Sequence, residues 1–370
     1  MKFALVPTRK LLTLLAVCGA TLFALPGLAD AEWVVKGRGF GHGIGMSQYG
    51  AYGFAQHGRT YEQILSHYYR HTDLLKTKSK PIRVLLDAGL ASAPFHGATA
   101  ACGQKLRSTS SYYFALSAGK VKLHDANGKQ LANCGREGSA SGGKSVYSKN
   151  TPYRGEILGR RVGSSLFAIN RLSIDDYVKG VVPNEMPASW DAEALKSQAV
   201  AARSYGLATT VSGNGYDVYK DTRSQVYGGL STEQPAGNAA VEATARQVLE
   251  YGGEPIVAFF SSTSGGRTEN VEFGFPGAAP QPYLKSANDP YDKISPYAKW
   301  TVNLSNASMS SKLGGLYEGT LKRIKILETG VSPRIVEAKV IGSKGSSNVS
   351  GPTLEYRLGL RSSWATFEKK

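Results

Sequence analysis

Cysteine, histidine, methionine and tryptophan are all scarce in this chain: its 370 residues include three Cys, six His, four Met and four Trp. Cys102 and Cys134 are the two cysteines outside the N-terminal leader described below, and no His lies beside them at metal-ligand spacing, which excludes the usual Cys/His zinc site. In an oxidising compartment the two can form a disulfide, worth about 3–4 kcal/mol for a loop of this length in the chain-entropy model. Two free thiols are the alternative interpretation.

Acidic residues are also in short supply. Lys and Arg number 44 against 28 Asp and Glu, which gives a formal net charge of +16. An exported basic protein is attracted to anionic polymers such as teichoic acids, peptidoglycan carboxylates and phospholipid head groups. Because the basic residues are dispersed along the chain, solubility alone explains part of this charge. No nucleic-acid recognition motif is present, so nucleic acid is not expected as a partner.

Long apolar runs are absent except near the N-terminus, where Leu11 to Leu25 is mostly apolar. Residues 1–31 have the layout of a secretory signal peptide, with a small-x-small cleavage site at 29–31 and a basic n-region made by Lys2, Arg9 and Lys10. The apolar run is too short for a comfortable membrane span. A lipoprotein start ending at Cys18 is the alternative, which the preceding Val disfavours. We therefore expect a secreted or cell-envelope protein without a transmembrane span after cleavage.

Strands and helices are predicted to intersperse without regular βαβ alternation, which favours an α+β fold with mixed β-sheets and an Ala-rich helical lobe. We expect one domain over residues 32–370 with four parts. They are a Gly-His-Gly segment with two short helices (32–75), a β-rich lobe (76–170), a catalytic core (171–300) and a C-terminal β lobe (301–370).

Periodicity predicts particular elements within these parts. Apolar residues at i, i+4, i+7 and i+11 predict a helix over 193–208, and a second helix is expected from about 236 to 249. The apolar runs 256–260 and 354–358 are predicted to be strands.

The most informative stretch for function is Val182-Pro183-Asn184-Glu185-Met186-Pro187, which an Ala-rich helix follows at once. It places Glu185 on a Pro-flanked turn among apolar neighbours that include Val182, Met186 and Trp190. A poorly solvated carboxyl group has a raised pKa and can hold a proton at neutral pH, as acid catalysis at a glycosidic oxygen requires. A solvated turn glutamate is the alternative.

A second motif is Gly39-Phe40-Gly41-His42-Gly43-Ile44-Gly45-Met46-Ser47-Gln48. Its alternating glycines let the backbone approach a ligand closely and adopt positive φ. His42 could bind sugar or help move protons, while Ser47 and Gln48, at a helix start, could bond hydroxyl or N-acetyl groups. It is neither a dinucleotide fingerprint nor a P-loop, because the strand–GxGxxG–helix unit and the Lys-Ser/Thr step are missing. The alternative is a tight glycine turn in which the His ring makes its hydrogen bonds within the chain.

Two polar runs flanked by apolar residues, 221–227 and 261–266, suit the lip of a cleft that binds a hydroxyl-rich polymer. Each taken alone is typical of an ordinary turn. Ser264 is a weak candidate nucleophile because the nucleophile-elbow pattern is absent. His67 and His71 lie at i and i+4 but have no third ligand, so no metal or cofactor is expected.

Together these segments resemble the SpoIID/LytB family, named for a sporulation peptidoglycan hydrolase and an amidase enhancer. The resemblance covers most of 33–75 and 160–300, and several long motifs coincide. The matching stretches are 41–51, 176–187, 194–205, 224–227, 262–269 and 282–285, with Asp292 and Ser295-Pro296.

The resemblance implies a lytic transglycosylase that cleaves the glycan strands of peptidoglycan, with Glu185 at the family's catalytic position. Glu185 would protonate the oxygen that leaves C1 of MurNAc and then take the proton from the C6 hydroxyl, which closes a 1,6-anhydro ring. Substrate-binding positions in or beside the cleft are expected at His42, Ser47, Gln48, Arg203, Gln225, Tyr227, Ser264, Tyr283, Lys285 and Asp292.

Two departures from the family pattern matter. The Gly-His-Gly block usually lies at the C-terminal end, after a Leu-Gly-Leu-Arg-Ser-type strand, whereas here the corresponding Leu358 to Trp364 nearly ends the chain and the block opens the mature protein. A circular permutation explains this order if residue 32 lies close to residue 367 in space. Some members also carry a zinc-binding His and Cys cluster before the Ser-Gln-x-Tyr stretch, where this chain has Tyr219, Arg223 and Ser224, so we expect no zinc.

Two other functions stay open. A non-catalytic wall-binding protein that stimulates an N-acetylmuramoyl-L-alanine amidase would have that amidase as its partner. An ordinary hydrolysing muramidase would need a second carboxylate, for which Asp176, Glu193 and Asp292 are the nearest candidates by motif.

Overall fold

A computed structural model describes residues 32–78, 80–211 and 215–370. The predicted signal peptide at 1–31 lies outside these residues. Helices and several β-sheets are mixed along the chain, which confirms the α+β prediction. No helix in the described part of the chain is long and apolar enough to cross a membrane.

The helices of the described chain are short apart from one. They are α1 (Gln48–Gln56), α2 (Tyr61–Tyr68), α3 (Ile174–Lys179), α4 (Val182–Glu185), α5 (Ala192–Ala208), α6 (Pro235–Ala243), α7 (Val271–Gly274), α8 (Asn306–Lys312) and α9 (Gly351–Leu358), with single 3₁₀ turns at Gly229–Thr232 and Asp292–Ile294.

The strands are also short, and several have only two residues. In chain order they are β1 (Glu32–Gly37), β2 (Met46–Ser47), β3 (Asp73–Lys76), β4 (Pro81–Leu90), β5 (Ser92–His96), β6 (Ala100–Ala101), β7 (Gln104–Lys105), β8 (Ser111–Ser117), β9 (Lys120–Asp125), β10 (Gln130–Gly135), β11 (Glu137–Ser141), β12 (Val146–Ser148), β13 (Thr151–Tyr153), β14 (Glu156–Val162), β15 (Ser165–Ser173), β16 (Val218–Tyr219), β17 (Gln247–Tyr251), β18 (Glu254–Pro255), β19 (Phe260–Ser261), β20 (Trp300–Ser305), β21 (Tyr317–Glu318), β22 (Leu321–Thr329), β23 (Ile335–Gly342), β24 (Gly345–Ser350) and β25 (Ala365–Lys369).

Two sheets face each other in the β-rich part of the chain. One has the order β16-β4-β15-β14-β11-β6-β7 and the other β10-β9-β8-β5-β12-β13. Phe114 of β8 is fully buried, and its ring fills the space that a side chain at Gly159 of β14 would occupy. The sheets therefore pack directly on each other here. A disulfide between Cys102, in the β6–β7 turn, and Cys134, in β10, also joins the two sheets.

Helix α5 is the centre of the helical part, as the prediction over 193–208 anticipated. The Asp191 side chain caps it by accepting the backbone N–H of Glu193 at 2.8 Å. Its alanines, including the fully buried Ala199 and Ala202, leave little side-chain bulk between backbones. As a result α1, α2, α3, α6 and β17 all pack on it, and the Glu185 turn and the Gly-His-Gly segment meet over one helix.

Three predicted elements were wrong. The helix expected to run to 249 ends at Ala243, because Arg246 has a left-handed φ of 63° and β17 then pairs with β3. The run 256–260 is mostly not strand, since only Phe260 lies in one, β19. The run 354–358 is helical rather than extended: Ser350 caps α9 and Pro352 occupies its first turn.

The two ends of the described domain adjoin each other. β1 is the central strand of a three-stranded sheet, with β20 on one side and β25 on the other. Trp33 lies opposite Lys369, and the Lys370 N–H donates to the Glu32 carbonyl at 2.8 Å. Buried Trp33 and Val35 join a second hydrophobic core with α8, α9 and the sheet β21-β24-β23-β22. The first strand thus packs with the last part of the chain.

Candidate functional site

A cleft of about 540 Å³ lies where four distant segments meet. The Gly-His-Gly segment, the Glu185 turn, and the two polar runs predicted to form a cleft lip all contribute. The lining residues are Phe40, Gly41, His42, Gln48, Glu185, Tyr205, Thr222, Ser224, Gln225, Val226, Phe259, Phe260, Ser261, Ser262 and Phe275.

Glu185 is the one carboxylate that lines this cleft in the described part of the chain. It ends α4, whose first turn contains Pro183. The neighbouring Val182 and Met186 are buried, so the carboxyl group lies against apolar side chains. Burial raises the pKa of Glu185, and the hydrogen bond from the Val226 backbone N–H to Oε1, at 3.0 Å, only partly opposes this. The carboxyl group is therefore disposed to hold a proton.

Gln48 connects the Gly-His-Gly segment to Glu185. Its Nε2 donates to the Glu185 backbone carbonyl at 2.8 Å and lies 3.2 Å from Oε1 of Gln198 on α5. The amide is nearly buried, so both bonds are shielded from water. Gln48 therefore links the Glu185 turn to both α1 and α5.

His42 is held as a neutral ring. Its Nδ1 accepts the Ile44 backbone N–H at 2.9 Å, so in the neutral form the ring proton lies on Nε2. Burial, together with the smaller effect of the nearby Arg334 guanidinium, lowers the pKa of His42 to about 4. The ring packs between Phe259 and Phe275, with centroids 5.8 and 5.2 Å away. At neutral pH it can bond a ligand but does not carry charge.

The glycines of this segment make room for Arg334. Gly43 has a φ of 72°, and a side chain on it would overlap the Arg334 guanidinium. Arg334 comes from the second core, is nearly fully buried and donates to the Ser264 carbonyl at 2.8 Å. The C-terminal lobe thus supports the loops that form the cleft from behind.

Gln225 offers an unused donor. It is 2% exposed, its Oε1 accepts the Tyr177 hydroxyl at 3.1 Å, and its Nε2 has no hydrogen-bond partner among the described residues. Gln225 therefore contributes to the cleft lining, but this nitrogen atom is itself buried and not open to solvent.

Three residues expected in the cleft lie instead in a buried network behind it. Ser47 caps α1 and donates to the Asp292 Oδ1 at 2.7 Å, and Asp292 accepts the backbone N–H of Ser264 at 3.0 Å. The Ser264 hydroxyl donates to Asp289 at 2.8 Å. All are fully or almost fully buried, and none lines the cleft. Ser47, Ser264 and Asp292, which the sequence predicted to contact substrate, are therefore placed behind the cleft, where burial and mutual hydrogen bonds leave them no face toward it.

Arg203 and Tyr227, also predicted to bind substrate, lie outside the cleft lining as well. Arg203 is fully buried, pairs with Asp175 at 2.7 Å and donates to the Gln247 carbonyl at 3.0 Å. The Tyr227 hydroxyl donates to the buried Asn170 at 2.7 Å. Arg203 joins α5 to α3 and β17, whereas Tyr227 joins the polar run 221–227 to β15, and neither side chain lines the cleft.

Tyr283 and Lys285 also lie outside the cleft lining. Lys285 pairs with Glu272 at 2.7 Å, and the Tyr283 ring lies 5.5 Å from that of Tyr251. His67 bonds the Asn288 carbonyl at 2.7 Å. No group of three His, Cys, Asp or Glu side chains that could hold a metal occurs among the residues the structure describes.

The aromatic lining was missed from sequence. Tyr205, Phe259, Phe260 and Phe275 line the cleft, and the Phe259 ring is 5.0 Å from that of Phe275. Sugar faces pack well on such rings. The sequence signal for this lining was the pair Phe259-Phe260, which directly precedes the polar run 261–266. If that run forms the lip of a cleft, at least one of the two adjacent rings is expected to face the cleft.

The fold and site define an α+β protein whose cleft presents one half-buried glutamate among aromatic rings and amide side chains. Residues 162–251 match the sequence model of the SpoIID family, described as Stage II sporulation protein. That segment runs from the end of β14 to β17 and includes Glu185 and Gln225. These matches confirm the resemblance to the SpoIID/LytB family that the sequence motifs indicated.

Similar proteins agree with this family. Stage II sporulation protein D of Bacillus subtilis (strain 168) is 35% identical over 221 residues, 55% of this chain and 62% of that protein. The protein of the same name in Bacillus amyloliquefaciens is 32% identical over 225 residues, 56% of this chain and 63% of that protein. The Amidase enhancer of Bacillus subtilis (strain 168) is 44% identical over 135 residues, 36% of this chain and 18% of that protein. The chain thus spans less than two thirds of the length of these relatives.

Proposed function

We propose that this protein is a lytic transglycosylase acting on the glycan strands of the bacterial cell wall, with Glu185 as acid and then base. The observation that carries the proposal is the single carboxyl group of raised pKa in an aromatic-lined cleft. Relatives named for sporulation and for enhancing an amidase support a role at the cell wall. The predicted leader supports an extracytoplasmic location.

The reaction needs no water and no second carboxylate. Protonated Glu185 gives its proton to the glycosidic oxygen between MurNAc C1 and GlcNAc, and the C1–O bond breaks through an oxocarbenium-like transition state. The C6 hydroxyl oxygen of the same MurNAc then bonds to C1. Its proton goes to the Glu185 carboxylate, which restores the acid. The products are a 1,6-anhydroMurNAc end and a GlcNAc with a free hydroxyl.

The three carboxylates that were candidates for a second catalytic group make hydrogen bonds elsewhere in the chain. This favours the transglycosylase reaction over hydrolysis by a muramidase. Asp176 bonds the Ser173 hydroxyl at 2.9 Å, and Glu193 accepts the Tyr61 backbone N–H at 2.7 Å. Asp292 is buried in the network behind the cleft. A hydrolase would need one of them to activate water or to act as a nucleophile at the scissile bond.

The proposal includes the permuted order of the family's blocks. The pairing of β1 with β25 makes the two ends of the described domain adjacent, as joining or cutting at a new position requires. On this view the Gly-His-Gly segment supplies His42 and Gln48 to the same cleft wall as in an unpermuted relative.

Product analysis tests the proposal. Peptide-free glycan strands are incubated with the mature protein, with Glu185→Gln, and with Glu254→Gln, which replaces an exposed glutamate that does not line the cleft. Mass spectrometry should find anhydro-ended fragments from the wild type and Glu254→Gln, and none from Glu185→Gln. Fragments heavier by one water would identify a hydrolase and overturn the proposal.

The second candidate is a non-catalytic enhancer of a cell-wall amidase, which the match to the Amidase enhancer favours. It predicts strand binding without any glycan cleavage, and stimulation of an added N-acetylmuramoyl-L-alanine amidase. Glu185→Gln would stimulate the amidase as well as the wild type does.

A further inference from the structure

A second pocket lies beside the cleft. It has a volume of about 460 Å³, and its lining includes Lys36, Arg38, Lys299, Trp300 and Trp364. It opens beside β1, β20 and β25, within the first part of the Gly-His-Gly segment. No acidic side chain lines it in the described part of the chain.

The cations around this pocket lack counterions. Arg38, Lys299 and Arg361 are exposed and make no ion pair among the described residues. Lys36 approaches Glu368 only to 3.8 Å, with both side chains 63% exposed, so this pair contributes little. We call Lys36, Arg38, Lys299 and Arg361 the basic rim.

Aromatic faces orient two of these cations. The Arg361 guanidinium lies 4.5 Å from the Tyr297 ring and 5.7 Å from the Phe40 ring. Arg38 lies 5.6 Å from the Trp364 ring. Stacked guanidinium groups lose part of their rotamer freedom and keep their planar N–H edge free for a carboxylate.

The basic rim is continuous with the cleft. Phe40 is 39% exposed and lines the cleft, and its ring meets that of Tyr297 at 5.1 Å. The Gly41 N–H donates to the Arg361 carbonyl at 2.8 Å. The Cα atoms of Arg38 and Phe40, two residues apart, are at most about 7 Å from each other. A polymer that leaves the cleft past Phe40 therefore meets these cations next.

We infer that the basic rim binds carboxylate groups of the glycan strand just outside the cleft. The inference rests on the proposed function, because it takes the strand in the cleft as the ligand that continues over the rim. Several unpaired cations gathered on one edge repel one another, and an anionic ligand relieves that repulsion. Arg groups with free planar edges suit carboxylates in particular. Such groups occur on the lactyl ether of MurNAc and on attached stem peptides.

Binding to a catalytically silent protein tests the inference. In a Glu185→Gln background, the affinity for peptide-free strands is compared with that for the same strands after chemical reduction of their carboxyl groups, and for peptide-bearing strands. The rim variant carries Arg38→Gln, Lys299→Gln and Arg361→Gln. The matched control carries Lys105→Gln, Lys120→Gln and Lys129→Gln, three exposed lysines of the β lobe.

The rim variant should bind carboxylate-bearing strands about tenfold more weakly than the background protein, and reduced strands equally well. A loss confined to peptide-bearing strands would assign the contact to stem peptides, and a loss also seen with peptide-free strands would assign it to the lactyl group. An equal loss for reduced strands, or a similar loss in the control, would overturn the inference. So would a rim-dependent affinity for a glycerol-phosphate polymer with no difference between native and reduced strands.

Failure of the proposed function gives a different pattern. In one case the wild type makes no anhydro product, but the background protein binds strands with the rim dependence described. The proposed transglycosylase activity is then wrong, and the inference that the basic rim binds carboxylates is retained. If the background protein binds no strands of any kind, both the proposed function and the inference about the basic rim are wrong.

Discussion

The side-chain amide of Gln48 donates a hydrogen bond to the backbone carbonyl of Glu185 at 2.8 Å, across 137 residues of sequence. This bond joins the Gly-His-Gly segment to the turn that carries the candidate acid. It makes the position of the Glu185 carboxyl group depend on α1.

Gln48→Ala should reduce glycan cleavage more than it reduces stability. Loss of the bond removes about 1 kcal/mol from the free energy of unfolding and lets the Glu185 turn shift, which we expect to slow cleavage about tenfold or more. Gln56→Ala, at the exposed end of the same helix, is the control. The rates of product formation and the urea midpoints are compared. Equal rates for the two variants would show that Gln48 does not position Glu185.

The raised pKa of Glu185 predicts a pH-dependent stability difference between the wild type and Glu185→Gln. The folded state favours the protonated carboxyl group, so the wild type loses stability as the pH rises from the ordinary glutamate value of 4.5 through the raised pKa. Glu185→Gln has no such proton to release. Its free energy of unfolding relative to the wild type should therefore increase over this window and then level off. Urea unfolding at several pH values measures this difference, and a difference independent of pH would contradict the raised pKa.

The rate of glycan cleavage should depend on the protonation of Glu185. Because Glu185 must be protonated to act as the acid, the rate falls as the pH rises through its raised pKa. Initial rates on peptide-free strands across the pH range measure this limb. A rate that keeps increasing above neutral pH would remove Glu185 from the role of acid.

His42 should titrate at a pKa of about 4, and Arg334 should contribute to that low value. Arg334→Met removes the positive charge, so the pKa of His42 should rise, whereas Arg334→Lys keeps the charge and should leave it low. Both variants lose the bond to the Ser264 carbonyl and should be less stable by about 2–3 kcal/mol. NMR titration of the imidazole carbons reads the pKa directly. Identical His42 titrations in the two variants would exclude the charge effect.

Arg203 should matter for stability and not for substrate affinity. Arg203→Met leaves Asp175 without its partner in a buried pair and should cost about 3 kcal/mol of unfolding free energy. Arg223→Met breaks an exposed pair with Asp221 and should change stability by less than about 1 kcal/mol. Thermal unfolding and strand binding at low temperature are measured for both. Weakened binding by folded Arg203→Met would restore the cleft-lining role expected from sequence.

Removing the disulfide should destabilise the β lobe and spare the cleft. The bridge closes a loop with a sequence separation of 32, so Cys102→Ser with Cys134→Ser should lose about 3–4 kcal/mol in the chain-entropy model. Neither cysteine lines the cleft. Denaturant unfolding and glycan-strand binding at low temperature are compared with the wild type. Loss of binding in a folded double variant would show that the two sheets influence the cleft.

Local patterns in the sequence were sufficient for several elements. The helices α1, α2 and α5 were predicted because capping residues and apolar spacing act within a few residues of each other. The apolar environment of Glu185 was likewise predicted from Val182 and Met186. The helix expected to continue past Ala243 failed because pairing of β17 with β3, far away in sequence, outweighs local helical preference.

Polar motif residues were harder to interpret. Ser47, Ser264, Arg203 and Asp292 have the chemistry of ligand-binding groups, but each one's partner is another part of the same chain. Sequence does not reveal which polar groups satisfy one another, because those pairings join residues up to 245 positions apart.

The sequence by itself determined the family resemblance, the candidate acid and the apolar setting that raises its pKa, because these depend on residues next to one another. Only the tertiary structure decided which polar residues face the cleft, which aromatic rings line it and where the basic rim lies. These depend on how β1, α5 and the C-terminal lobe pack, and packing is a property of contacts between distant segments.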